Sequence, residues 1–276
     1  MQTEEQIKEM VQKKYADIAL QTKEENETSC CGSGCCSSEV YNIMNEDYST
    51  LEGYHADSDL GLGCGLPTQF AKIKKGDLVI DLGSGAGNDA FIARHETGET
   101  GKVIGIDFTP AMIEKARKNA EMRGFNNVEF RQGDIEQIPV SANTADVIVS
   151  NCVLNLVPNK NKVFSEIFRV LKPNGHFSIS DIVLEGILPT ELREAAEMYA
   201  GCVAGAIQKQ VYLELIENNG FTNVTVQKDR PIIIPDDILS KYLSPEQIQA
   251  FKDSGKTIRS ITVYAEKTCC GANCCN

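Results

Sequence analysis

No apolar run in this 276-residue chain approaches the length of a membrane span, and no secretory apolar stretch opens it. The first twenty residues, "MQTEEQIKEMVQKKYADIAL", read instead as a charged amphipathic helix, and the expectation is a soluble cytoplasmic protein. Positive charge is also scarce: 27 Lys and Arg against 39 Asp and Glu leave a formal net charge of −12. Nucleic acid and anionic membranes both call for clustered Lys and Arg, so neither is expected as the main partner. The three histidines, His55, His95 and His176, form no obvious cluster. A Gly-Lys-Ser/Thr phosphate loop is missing as well.

What the chain has is a hydrophobic content of 42%, enough for one large domain or a domain with an appendage. It also has eleven cysteines, an odd number that does not suggest a disulfide scaffold in a chain with a good core. Eight are doublets near the ends, in "CCGSGCC" (Cys30, Cys31, Cys35, Cys36) and "CCGANCC" (Cys269, Cys270, Cys274, Cys275). Three stand alone: Cys64, Cys152 and Cys202.

From about residue 72 to 182, apolar strand-like runs alternate with helical ones. "DLVIDLG", "KVIGIDF", "NVEFRQGD" and "ADVIVSN" are the first four predicted strands, and "GHFSISDI" the fifth. Between the second and third lies "TPAMIEKARKNAEMRG", with Thr109 placed as N-cap, Pro110 as first helical residue and Gly124 as the stop. Alternating β and α with nearly continuous apolar strands predicts an α/β fold with a doubly wound, mostly parallel sheet. "NVTVQKD" and "SITVYAEK" add two late strands. The expected organisation is a helical, Cys-rich segment over 1–58, a core over 59–182, a helical insertion with C-terminal strands over 183–268, and a Cys-rich tail over 269–276.

The first strand closes in "DLGSGAG", with Asp81 ahead of Gly83, Gly85 and Gly87. A dinucleotide fingerprint would carry its third glycine where Asn88 stands. A glycine turn without a cation suits a nucleoside ligand that has no phosphates. Asp107 ends the second strand twenty residues past Gly87, where an acidic side chain takes ribose hydroxyls. Asp134 and Ile135 follow the third strand, placed for an adenine edge and face. This set resembles the class I S-adenosylmethionine-dependent methyltransferases, with their Rossmann-like sheet and terminal antiparallel strand. On that resemblance Met112 and Asn151 join the candidate donor-binding residues.

Cys152 directly follows the fourth strand, at the crevice formed by the carboxyl ends of the strands. Cys64 in "GLGCG" and Cys202 in "GCVAG" sit among small residues that leave room around a side chain, and buried inert cysteines have no reason to choose glycine turns. "ADSDLGLGCGLP", "SNCVLNLVP" and "CVAGA" together resemble the arsenite methyltransferases, a branch of the same superfamily. The resemblance implies trivalent arsenic held by Cys64, Cys152 and Cys202 as catalytic ligands, with arsenite or its thiol conjugates as substrate. It further implies a thiol reductant, glutathione or thioredoxin, and a disulfide relay using one of Cys30, Cys31, Cys35 or Cys36. The doublets are alternatively an arsenite-capture device. Competing expectations are a carbon or quinone methyltransferase of the same fold, or a non-catalytic metalloid-binding protein. A cytosine methyltransferase with Cys152 as nucleophile is disfavoured by Asn151 in place of proline and by the acidic charge.

Overall fold

A computed structural model describes residues 3–21, 46–191, 203 and 205–268. The Cys30–Cys36 and Cys269–Cys275 doublets and Cys202 lie outside the described residues.

Seven strands form one sheet: β1 (Leu78–Leu82), β2 (Lys102–Asp107), β3 (Val128–Gln132), β4 (Ala145–Asn151), β5 (Leu171–Glu185), β6 (Thr222–Ile232) and β7 (Thr257–Glu266). Their order is β3-β2-β1-β4-β5-β7-β6, with β1 to β5 parallel and β7 running antiparallel between β5 and β6. The predicted doubly wound sheet is therefore the observed one, and its terminal strand is antiparallel. Mostly apolar side chains leave β1 and β4 buried on both faces, as a strand covered by helices on each side must be. The fifth strand runs past residue 182 to Glu185.

The helices that position the site are α1 (Glu4–Ala19), α2 (Asn88–Thr97), α3 (Pro110–Met122), α4 (Lys160–Val170), α5 (Lys209–Asn218) and α6 (Pro245–Asp253). Thr3 and Gln6 start α1 with reciprocal side-chain-to-backbone bonds of 3.2 and 2.9 Å, satisfying two otherwise orphaned N–H groups. Pro110 opens α3 as its first residue, and Gly124 ends it, its N–H bonding Glu121 O and the next N–H bonding Ala120 O. Thr109 occupies the N-cap without a side-chain cap bond; the Asp107 carboxylate takes its backbone N–H instead, at 2.8 Å. The main core packs Phe164 edge to face on Tyr212 and at a tilt on Phe177, between β5, α4 and α5.

One carboxyl interrupts that core. Asp181 on β5 is fully buried, accepts from Asn155 Nδ2 at 2.8 Å and from Tyr212 Oη at 3.4 Å, and burial pushes its pKa up to about 7 against a smaller opposing pull from Lys160. In the unfolded chain it ionises near 4, so between pH 4 and 7 the unfolded state has lost a proton that the folded state keeps. Stability should then fall as pH rises through that window and level off above it, by on the order of 1 kcal/mol per pH unit. Urea unfolding of wild type and Asp181→Asn across pH 4–8 checks this: the variant should lose this share of the slope, so that its stability relative to wild type rises from pH 4 to pH 7 and then levels off.

Candidate active site

The sheet reverses its winding between β1 and β4, and the chains leaving their carboxyl ends diverge there. A cleft opens at that point, enclosing about 1030 Å³ of space continuous with solvent. Asp81, Gly83 and Gly85 from the first strand end line it, with Asp107 and Met112 from the second. Asp134 and Ile135 after β3, then Asn151 at the end of β4 and Cys152 just past it, line the same cleft. Gly87 does not line it. A Cβ there would lie 2.8 Å from the Phe91 ring and 3.0 Å from Phe130, so this glycine serves helix packing.

The cleft is a concentration of buried carboxyl groups. Asp81 is raised well above the ordinary carboxylate range by burial first and by the nearby Asp89 and Asp107 second. Burial likewise raises Asp89, to about 6, and Asp107. Asp107 accepts from the Gly85 N–H at 3.0 Å and the Thr109 N–H at 2.8 Å, one bond per oxygen, which leaves lone pairs for a ligand hydroxyl. Asp81 Oδ2 is buried with no hydrogen-bond partner, a cost that a cationic ligand would remove. Gly85 has φ +50° and nothing within 4 Å of where a Cβ would stand, so the turn faces open space. S-adenosylmethionine, with its sulfonium and ammonium charges, its ribose diol and no phosphate, fits this set of groups.

Asp134 lines the cleft with both oxygens already engaged, one by the Lys8 ammonium at 2.5 Å and the other by the Glu136 N–H at 2.8 Å. Lys8 also pairs with Glu136. The partner comes from α1, which crosses this end of the cleft: Gln12 Nε2 donates to Phe108 O at 3.0 Å, and Lys115 Nζ reaches the Ala19 and Gln21 carbonyls at 2.9 Å. Sequence reasoning placed α1 in a lead-in segment and missed this role. Nothing local marks it, because the contact spans more than a hundred residues of chain.

Cys64 and Cys152 come together. Both are buried thiols in one apolar cluster with Ile182, Leu188, Val203, Ile232 and Ile258. Two close approaches explain the glycines beside Cys64. A Cβ on Gly65 would lie 2.4 Å from Ser180 Oγ, and one on Gly63 would lie 2.9 Å from Asn151 Nδ2 and 3.0 Å from Tyr48 Oη. Asn151 Oδ1 accepts the Cys64 N–H at 3.1 Å and the Gly65 N–H at 3.3 Å, and Ser260 Oγ donates to Cys64 O at 2.5 Å. Cys152 holds a left-handed backbone, φ +61°, which a residue with a Cβ adopts at a cost; its N–H bonds Ser180 O at 2.8 Å. The thiol is thereby turned off the line of β4 toward the Cys64 side.

Val203 is 3% exposed within the two-thiol cluster, and a Cβ on Gly205 would lie 2.0 Å from Asn155 O, on the turn after Cys152. Among the described residues, no three His, Cys, Asp or Glu side chains form a metal-ion site. The histidines stay apart, as expected: His55 packs on Phe91 and Phe125, His95 pairs with Glu52, and His176 bonds Ala71 O at 2.6 Å. Tyr48, Asp59 and Asp89 also line the cleft and were missed. Asp89 was open to discovery, standing in the first turn of the helix that follows the glycine turn; Tyr48 carries no local signal.

Residues 73–220 match a family described as a methyltransferase domain. The chain is 39% identical to the arsenite methyltransferase of Halobacterium salinarum, over 95% of this chain and 67% of that protein. It is 31% identical to the arsenite methyltransferase of Aquipseudomonas alcaligenes, over 85% of this chain and 68% of that protein. A crystal structure of an arsenic(III) S-adenosylmethionine methyltransferase from Chlamydomonas reinhardtii superposes with a TM-score of 0.65 at 31% identity, covering 83% of this chain and 73% of that one. With the buried acidic cleft and the paired thiols at the end of β4, these likenesses converge: the chain belongs to the arsenite methyltransferases, within the S-adenosylmethionine-dependent methyltransferases.

Proposed function

We propose that this protein transfers methyl groups from S-adenosylmethionine to trivalent arsenic bound by the thiolates of Cys64, Cys152 and Cys202, giving methylated arsenicals in a detoxifying reaction. The observation that carries this reading is the single buried cluster holding Cys64, Cys152 and Val203, the immediate neighbour of Cys202. Cys64 and Cys152 come from segments distant in sequence and share that cluster with the residue that follows Cys202, which supports a reading in which the three sulfurs act together.

Trivalent arsenic is soft and prefers thiolate ligands. Each thiol that joins arsenite releases one water, its proton leaving with an arsenic hydroxyl, so no separate base is required for loading. Three sulfurs then form a pyramid with the arsenic lone pair at its apex. When bound, S-adenosylmethionine supplies a methyl carbon on a cationic sulfur, and the carbon–sulfur electron pair stays with that sulfur as the arsenic lone pair takes the methyl. The chain's part is to hold the two reactants in line, and such positioning supplies a large share of a barrier reduction. Asp107 takes the ribose hydroxyls, Ile135 covers the base, and the Gly83–Gly85 turn admits the methionine portion beside Asp81. The apolar surroundings of the thiols exclude water from the transfer. Each transfer raises arsenic formally from trivalent to pentavalent, so repeated rounds need two electrons from a thiol such as glutathione or thioredoxin. One of Cys30, Cys31, Cys35 or Cys36 relays them, and the remaining doublet cysteines capture arsenite when it is scarce.

Cys64→Ser, Cys152→Ser and Cys202→Ser should each abolish arsenite methylation while leaving calorimetric S-adenosylmethionine affinity nearly unchanged. Arsenic X-ray absorption on protein ending at residue 268 and carrying serines at Cys30, Cys31, Cys35 and Cys36 should show three sulfur neighbours, and fewer in each single-cysteine variant. Arsenite turnover by Cys64→Ser at the wild-type rate would sink the three-thiolate reading. Asp107→Ala should act on the other reactant. Losing hydrogen bonds to a charged acceptor costs about 1.5–3 kcal/mol, or about 10- to 150-fold in donor dissociation constant. Arsenical binding should not change in that variant, and an unaltered donor affinity by calorimetry would remove Asp107 from the site.

A further inference from the structure

Cys152 is followed by a single tight helical turn, Leu154–Leu156. Three consecutive residues of β5 hold this stretch. Ser180 O accepts the Cys152 N–H at 2.8 Å, Asp181 Oδ1 accepts from Asn155 Nδ2 at 2.8 Å, and Ile182 O accepts from the same nitrogen at 2.7 Å. Asn155 is 4% exposed and Asp181 is fully buried. Both hydrogens of the carboxamide are thus spent on one piece of strand, while its Oδ1 is buried with no hydrogen-bond partner. An unmet buried acceptor is a cost that an apolar side chain of similar size would avoid. What position 155 uses is therefore a pair of N–H donors.

Asn155 also meets the chain that returns after Cys202. A Cβ on Gly205 would lie 2.0 Å from Asn155 O and 3.2 Å from its Cα, so only a glycine lets that segment press so closely on the turn. Two residues on, Ile207 O accepts the Leu184 N–H at 2.9 Å, again on β5. Residues 180–184 of β5 form a rail on which both the Cys152 turn and the stretch after Cys202 are seated, and Asn155 touches strand and returning segment alike. Its acceptor is fixed in turn: Asp181 Oδ1 also takes the Ile182 N–H at 3.0 Å, and Oδ2 takes the Tyr212 hydroxyl at 3.4 Å. The φ of +61° at Cys152 needs such support, because a left-handed residue with a Cβ persists only where its surroundings over-determine it.

We propose that Asn155, held by Asp181, is a positioning residue for the arsenic site. It locks the Cys152 turn to β5 and sets the spacing between Cys152 and the chain that follows Cys202. Its weight in catalysis rests on the reading of Cys152 and Cys202 as arsenic ligands, whereas the locking is a property of the turn and is measurable with neither arsenic nor donor present.

The test is residue-resolved amide hydrogen exchange and iodoacetamide alkylation on the full-length protein, free of arsenic and donor. Asn155→Ala, which removes the two donors, and Asp181→Ala, which removes the side-chain acceptor, should each speed exchange of the Cys152 and Leu184 amides and alkylation of Cys152 by about tenfold, the loss expected for buried hydrogen bonds. Asp181→Asn keeps an oxygen for Asn155 Nδ2 and should leave Cys152 as protected as in wild type. Exchange in β1 and β2 should not change in any of the three. Unaltered protection of Cys152 in both alanine variants overturns the proposal, and so does an equal loss across β1 and β2, which would make the pair an ordinary core contact. Arsenical affinity of Cys152→Ser reports separately on whether Cys152 is a ligand, so the two ideas fail independently. If both stand, Asn155→Ala should lower kcat for arsenite by about 100-fold, the effect of a misplacement of about 1 Å, with the donor dissociation constant unchanged.

Discussion

Burying several carboxylates around one cleft is the constraint on which the rest of this structure depends. Asp81, Asp89 and Asp107 stand on adjacent strand and helix ends, each shielded from water and each raised in pKa by that shielding. Buried charge without compensation is expensive, and the protein offsets only part of it with backbone N–H groups from Gly85 and Thr109 and with the Tyr48 and Asn151 side chains. A cationic ligand in the cleft would offset part of the remaining cost.

The thiol side is built on the opposite principle. Cys64 and Cys152 are enclosed by aliphatic side chains from β5, β7 and the segment after β6, with Tyr212 and Asp181 beneath. Burial, then the Asp181 carboxyl and then the two cysteines, keeps Tyr212 well above its ordinary pKa, so its hydroxyl stays protonated. Between the acidic cleft and this apolar cluster stands one turn of β4, from Asn151 to Cys152, whose left-handed kink divides the two environments.

Much of this was legible in the sequence for local reasons. Apolar strands in alternation with helices, a glycine turn after the first strand, and Asp107 at the end of the second are features of short segments, and the sheet brings them together at its crossover as strand order requires. Asp134 shows where that reasoning stops: its position was read correctly, but its oxygens are taken by Lys8 and the Glu136 N–H. No spacing rule links Lys8 to Asp134 across the chain. The glycines beside Cys64 were visible as glycines; that they allow Ser180, Asn151 and Tyr48 to press against the turn was not.

What the sequence by itself determined, then, was the parallel sheet and the residues its strand ends bring to the cleft, since hydrophobic period, turn chemistry and strand-end position are all set by neighbours in the chain. Only the tertiary structure decided that α1 roofs the cleft, that Cys152 turns through a positive φ toward Cys64, and that Tyr48 and Asp89 hold the Cys64 turn through Asn151. Those are contacts between segments tens to more than a hundred residues apart. They exist because the sheet fixes its strand ends first, and side chains from the loops then satisfy whatever buried polar groups and space those ends leave.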